Sequence, residues 1–156
     1  MRAVVQRVSR AAVTVGGTRV GEVGRGLVVL LGVATGDDEE DARILAHKIA
    51  GLRIFEDPDG RMNLSVLDLG LGILVVSQFT LCADLRRGRR PGFDPAETPE
   101  RAEALVQRFA QLLEAQGLGV SHGRFGASMA VELVNEGPAT FVLDSASWRR
   151  DRGSAS

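Results

Sequence analysis

The sequence predicts a mixed α/β fold: a single domain with mixed sheets in two β layers and two helices packed on one face. Apolar runs of strand length fill both ends of the chain. Two amphipathic helical segments lie between them. The order is a strand cluster, then strand–helix–strand–helix, then strands again. That order suits helices covering one face of a sheet, with a second sheet layer behind it. No repeat or linker interrupts the 156 residues, so one domain is expected. It is assigned to residues 1–145, with a flexible tail over 146–156.

Each element has its own signal. Residues 3–8 and 11–15 are rich in Ala and Val. Gly16-Gly17 is a two-residue hairpin signal leading into Thr18-Arg19-Val20. Leu27 to Val33 is continuously apolar and reads as a strand buried on both faces. Asp37 is the expected cap of a helix in which Ala42, Leu45, Ile49 and Leu52 recur at helical spacing. Acidic residues crowd its positive end. A short strand, Arg53-Ile54-Phe55, precedes a turn at Asp57-Pro58-Asp59-Gly60. Ile73 to Leu81 reads as another buried strand. Thr98 caps and Pro99 starts the second helix, whose apolar face runs from Ala102 to Leu113 and which Gly117 ends. Met129, Val131 and Leu133 share one face of a late strand, and Phe141 to Leu143 form the last one. Between these two stands Gly137-Pro138, which on its own residues reads as a turn or as a backbone tool.

Bulk properties exclude several functions. The formal net charge is −1, so general nucleic-acid binding through a basic surface is not expected. The exception is local: Arg86, Arg87, Arg89 and Arg90 in "LRRGRRPG", read either as a contact or as a solvated loop. A lone cysteine, Cys82, excludes an internal disulfide and a cysteine metal cluster, and reads as a small buried hydrophobe. The first residues are too charged for a signal peptide, and no window is apolar enough for a membrane span. A cytoplasmic protein with no membrane or DNA partner is expected.

Little conventional catalytic chemistry is present. His47 falls on the polar side of the first helix, and His122 lies in a Gly-bounded segment. No G-x-S-x-G elbow, P-loop or metal-ligand spacing occurs. The remaining candidate is "SQFTLCAD", residues 77–84, where polar residues end an apolar strand. Open α/β sheets place their sites there. Alternation puts Ser77 and Phe79 on one face, and Gln78 and Thr80 on the other. Gln78 can hold a ligand hydroxyl, because its amide donates and accepts. A hydroxyl such as that of Thr80 needs a base to become a nucleophile. Phe125, between glycines in "GRFG", reads as a stacking platform or as core.

Taken together, "SQFTL" at 77–81 and "NEGPAT" at 135–140 resemble the two signature motifs of the D-aminoacyl-tRNA deacylases. "QRV" at 6–8, "VTV" at 13–15, "GLVVLLGV" at 26–33, "GLRIFEDPDGRMNLSV" at 51–66 and "GRFGASM" at 123–129 resemble the same family in the same order. The resemblance spans about residues 1–145. Ala139 departs from it, standing where the family usually has valine.

The resemblance implies the fold of that family. It also implies hydrolysis of the ester joining a D-amino acid, or glycine, to the terminal adenosine of tRNA, as proofreading in translation. It further implies a homodimer with two equivalent sites and no metal or organic cofactor. Ser77, Gln78, Phe79, Thr80 and Leu81 would line the pocket for the aminoacyl-adenosine. Phe125 and Met129 would lie near the adenine. Asn135 would belong to the substrate-binding set. Gly137-Pro138 would have a cis bond and enter the partner's pocket, where a stiff backbone oxygen rejects an L-residue's Cβ. With no base in view for Thr80, the ribose 2′-hydroxyl would assist water, and amide groups near Phe79 and Thr80 would stabilise the oxyanion. The competing mechanism makes Thr80 the nucleophile. Two other functions remain open: a non-catalytic RNA-binding dimer, and a hydrolase of small D-amino-acid esters.

Overall fold

Strand alternation sets the architecture. The structure is a computed structural model and describes residues 1–149. The Ala- and Val-rich segments at the start form one continuous strand, β1 (Arg2–Val15). The Gly16-Gly17 hairpin turns it into β2 (Thr18–Val23), with both glycines at positive φ. β3 (Gly26–Gly32) returns antiparallel along the first half of β1. Helix α1 (Glu39–Gly51) follows, then a small hairpin of β4 (Phe55–Glu56) and β5 (Met62–Leu64). Val66–Leu69 form a one-turn helix, α2, that the sequence analysis did not anticipate. Ser65 and Asp68 cap it reciprocally. β6 (Gly72–Ser77) lies parallel to β3, with Leu27 opposite Ile73 and Leu31 opposite Ser77. Helix α3 (Pro99–Ala115) leads to β7 (Val120–His122), parallel to β6. The last strand, β8 (Ala130–Asp144), pairs with the free edge of β1.

The main sheet therefore runs β2-β1-β3-β6-β7, with β8 added on β1. It is strongly curled. A Cβ on Gly21 in β2 would stand 2.1 Å from the carbonyl oxygen of His122 in β7, so the two ends touch backbone to backbone. The two expected β layers are the two walls of this barrel-like sheet. The mixed α/β class holds.

The curl explains why β3 and β6 are apolar at successive positions. Leu27, Val29, Leu31, Ile73 and Val75 face the helices, packing with Leu45 and Ile49 of α1 and Phe109 and Leu113 of α3. Val28, Leu74 and Val76 face inward, against Val8, Ala11 and Val13 of β1. Burying each such side chain stabilises the fold by about 1.5–3 kcal/mol.

Several boundaries differ from expectation for local reasons. The α1 cap is Asp38, not Asp37. Its carboxylate accepts from the amides of Glu40 and Asp41, while the Asp41 side chain accepts from the Asp38 amide. Asp37 instead meets the buried N-terminal ammonium at 2.7 Å. Thr98 makes no side-chain cap on α3; Glu97 accepts from the Thr98 amide at 2.9 Å. The strand expected through Leu81 stops at Ser77. Gly137-Pro138 does not end a strand but lies inside β8. The tail assigned as flexible from residue 146 begins with a docked 3-10 turn, Ser145–Trp148. Lys48 sits over the Trp148 ring, and Arg149 donates to Asp38 and Asp41. The rest of that tail, 150–156, lies outside the described residues.

Asp38 offers a test. The Arg149 guanidinium and then the Asp41 amide hold its carboxyl below the usual carboxylate range. Asp38→Ala should reduce unfolding free energy by about 1 kcal/mol at neutral pH. A depressed folded pKa gives stability that is complete above the unfolded pKa and is lost as pH falls through the folded one. Urea unfolding of both proteins should therefore show the gap at neutral pH closing in strong acid.

Candidate functional site

The site is built where β6 runs out of cover. After Val76, which is fully buried, Ser77 and Gln78 are half-buried and Phe79 and Thr80 are exposed. The Gln78 amide still donates to Leu31 of β3 at 2.8 Å. The chain then folds back as a 3-10 turn, Phe79–Cys82. Gly32 permits this return: a Cβ there would lie 2.9 Å from the Gln78 carbonyl oxygen and 3.0 Å from Leu81 Cβ. Cys82 ends the turn 1% exposed, and burial pushes its thiol pKa up.

A cavity of about 500 Å³ opens beside this strand end. Ser77, Gln78 and Phe79 form one side, Val106 of α3 another, and Phe125, Met129 and Val131 a third. Phe93 and Glu97 complete the rim. The Phe79 and Phe93 rings meet edge to face, with centroids 5.1 Å apart. The volume and the apolar, aromatic lining suit a small-molecule-sized group. Among the described residues no group of three or more His, Cys, Asp or Glu could hold a metal ion. No helix among them is long and apolar enough to cross a membrane.

The structure thus brings Ser77, Gln78, Phe79, Phe125 and Met129 together around one cavity. Thr80 and Leu81 do not line it. The Gln78 side-chain amide donates to the Thr80 hydroxyl. Among the described residues neither Ser77 nor Thr80 hydrogen-bonds to an imidazole or a carboxylate. His122 borders a neighbouring concavity that Ser77 and Phe125 also reach, but its nearest acidic partner is Glu114 at 3.8 Å.

Asn135, Gly137 and Pro138 lie elsewhere. They sit on β8, three strands from β6 in the sheet order. That is about 14 Å measured across the sheet. The pairing of β8 with β1 slips between Gln6 and Val8, which leaves residues 136–139 out of the ladder. The Gly137-Pro138 peptide bond is cis. Two side chains hold this segment. Arg7, 7% exposed, donates from Nε and Nη2 to the Glu136 carbonyl at 3.1 and 2.9 Å, and from Nη1 to the Ile54 carbonyl at 2.6 Å. Asn135 Nδ2 donates to the carbonyls of Arg7 and Ala139 at 3.1 and 3.2 Å. Asn135 therefore acts on the backbone from within the loop. Ala139 is buried, and its small side chain fits a position 2% exposed.

Phe93 and Glu97 were not singled out from the sequence. Phe93 directly follows Pro91-Gly92, and an aromatic residue in a Pro/Gly loop is a legible signal. Glu97 has none, since its role depends on tertiary contacts. The Thr98 amide, then those of Gly36 and the Arg101 guanidinium, hold its carboxyl below the usual range.

A family profile described as D-Tyr-tRNA(Tyr) deacylase matches residues 4–144. A protein of Symbiobacterium thermophilum named D-aminoacyl-tRNA deacylase is 61% identical over 93% of this chain and 96% of its own length. A protein of Roseiflexus sp. with the same name is 60% identical over 97% of this chain and 98% of its own. Among solved structures, one titled c-Myc DNA Unwinding Element Binding Protein superposes with a TM-score of 0.86 at 42% identity, covering 92% of this chain and 98% of the other. On a match that takes in nearly the whole fold, cavity and β8 included, the chain belongs to the D-Tyr-tRNA(Tyr) deacylase family.

Proposed function

We propose that this protein hydrolyses D-aminoacyl-tRNA to free tRNA and a D-amino acid. The observation that carries the reading is the cavity at the end of β6. It has three phenylalanines, Phe79, Phe93 and Phe125, to take a nucleobase, and polar Ser77 and Gln78 beside them. Its relatives' name supplies the substrate class. Such substrates form in the cytoplasm, which is where the activity is needed.

Water adds to the ester carbonyl carbon, the bond from that carbon to the ribose 3′ oxygen breaks, and the ribose oxygen leaves with a proton. Among the described residues no imidazole or carboxylate hydrogen-bonds to Ser77 or Thr80, which favours help from the substrate's own 2′-hydroxyl. The amides of Phe79 and Thr80 begin the 3-10 turn and have no acceptor among the described residues, so they suit the developing oxyanion. Thr80 serves through Gln78, which its hydroxyl orients.

Stereochemistry is read by the backbone of the partner subunit. Gly137 and Pro138 are exposed and lie away from their own chain's cavity, which supports their delivery to the cavity of the partner in a two-fold dimer. β8 is an edge strand, and Val142 on it is 78% exposed. Arg7 and Asn135 make the delivered segment stiff. A stiff carbonyl leaves no room for an L-residue's Cβ, while glycine has none to exclude.

D-tyrosyl-tRNA and glycyl-tRNA should be hydrolysed, and L-tyrosyl-tRNA should not. Light scattering should give a mass near twice 16.6 kDa. Release of L-tyrosine as fast as D-tyrosine, or an active monomer, would sink the shared filter. Asn135→Ala should loosen the segment and raise L- relative to D-turnover.

Thr80→Ala should cost less than about 10-fold in kcat, whereas loss of a true nucleophile costs orders of magnitude. A substrate ending in 2′-deoxyadenosine should bind and fail to react. Its normal turnover, together with an inert Thr80→Ala protein, would transfer catalysis to the threonine.

A further inference from the structure

Four arginines, Arg86, Arg87, Arg89 and Arg90, crowd one loop of a chain whose formal net charge is −1. The loop is tied at its base. Asp84 and Gly92 exchange backbone hydrogen bonds of 2.7 and 2.9 Å, and Gly88 turns the tip at φ 63°. Arg86 belongs to this scaffold. Its Nε and Nη2 each donate to an Asp84 carboxylate oxygen at 2.9 Å. The pairing holds the Asp84 carboxyl down to about 2, so the base keeps its ion pair throughout the physiological range.

Arg87, Arg89 and Arg90 are exposed and have no hydrogen-bond or ion-pair partner among the described residues. Grouped like charges repel, and among the described residues no carboxylate pairs with these three. Their place in the fold shows what would. Gly92 is followed by Phe93, which meets Phe79 at the cavity rim. The other stem, Asp84, follows the 3-10 turn that carries Phe79. Both stems of the arginine loop are thus continuous with the aromatic rim.

We propose that Arg87, Arg89 and Arg90 bind the phosphates of the single RNA strand that leads into this cavity. The inference rests on the reading of the cavity as a site for the 3′-terminal nucleoside. A chain that ends in the cavity must leave past its rim, and its phosphodiesters come first. Guanidinium groups match phosphate in bidentate geometry. Such contacts carry no base information, so the loop adds affinity for any tRNA 3′ strand. It also accounts for a nearly neutral protein handling a polyanion: the positive charge is concentrated at the entrance.

The test uses Arg87→Gln/Arg89→Gln/Arg90→Gln in the full chain, leaving the Asp84–Arg86 base intact. Binding of uncharged tRNA is measured by fluorescence anisotropy across a salt series. Turnover is measured with D-tyrosyl-tRNA and with D-tyrosyl-adenosine, which lacks phosphates. Single-strand phosphate contacts contribute about 0.7 each to the slope of log affinity against log salt, so the slope should flatten by about 2. Affinity at low salt should fall on the order of 10–100-fold. KM for D-tyrosyl-tRNA should rise with it, while kcat and turnover of the adenosine ester stay at wild-type values. An unchanged salt slope and affinity would overturn the assignment. Equal losses on both substrates would also overturn it, because the loop would then be shaping the cavity. A wild-type protein that binds tRNA through these arginines yet cleaves no D-tyrosyl-tRNA would remove the deacylase reading and leave the phosphate contacts standing.

Discussion

Both edges of β1 are hydrogen-bonded along nearly its whole length, and this constraint organises the molecule. Its first half pairs with β3, its second half with β2, and its other edge with β8. A strand that changes partners midway has to coil, and right-handed twist carries the sheet round until β2 meets β7. The same strand brings Arg7 into the interior opposite the slip in β8. A buried charge is tolerated only when its donors are used. Arg7 uses them on three contacts to the Ile54 and Glu136 carbonyls, which fixes the β4 strand and the 136–139 loop together. The fold and the exposed Gly-Pro segment share one support.

That geometry keeps the cavity and the Gly-Pro segment apart. The cavity belongs to the end of the parallel pair β3–β6, whereas the Gly-Pro segment belongs to the antiparallel edge. Parallel strands end together and leave their side chains pointing into a crevice. An antiparallel edge strand can carry a bulge without disturbing a neighbour on its far side. The cavity and the Gly-Pro segment therefore tolerate different local conformations.

Much of this was legible in sequence, for identifiable reasons. Doubly apolar strands such as Leu27–Val33 signal cover on two sides, and both helices follow from apolar spacing and from Asp, Thr and Pro near their starts. The failures arise where tertiary contacts overrode local pattern. Thr98 has the right chemistry for a cap, but its side chain makes no capping bond, while its own amide is taken by the Glu97 carboxylate. Asp37 stands one residue before the true cap because the terminal ammonium draws it inward. β6 ends at Ser77, four residues before the apolar pattern does, because Phe79 and Leu81 look strand-like while the chain turns back against Gly32. In the site, Ser77, Phe125 and Met129 line one cavity. Phe93 reaches the rim through loop geometry, so its only sequence signal is its place after Pro91-Gly92 and not any periodicity.

Cys82 ends the turn that bears Phe79 and Thr80, and its side chain is buried against Gly32. Local opening of a segment has its own free energy, separate from global unfolding. For a thiol reagent to reach this sulfur, the turn has to lift. The chain thus contains a built-in reporter: the alkylation rate of its single cysteine counts excursions of the very segment that forms the cavity wall, and a guest seated against Phe79 lengthens the interval between them.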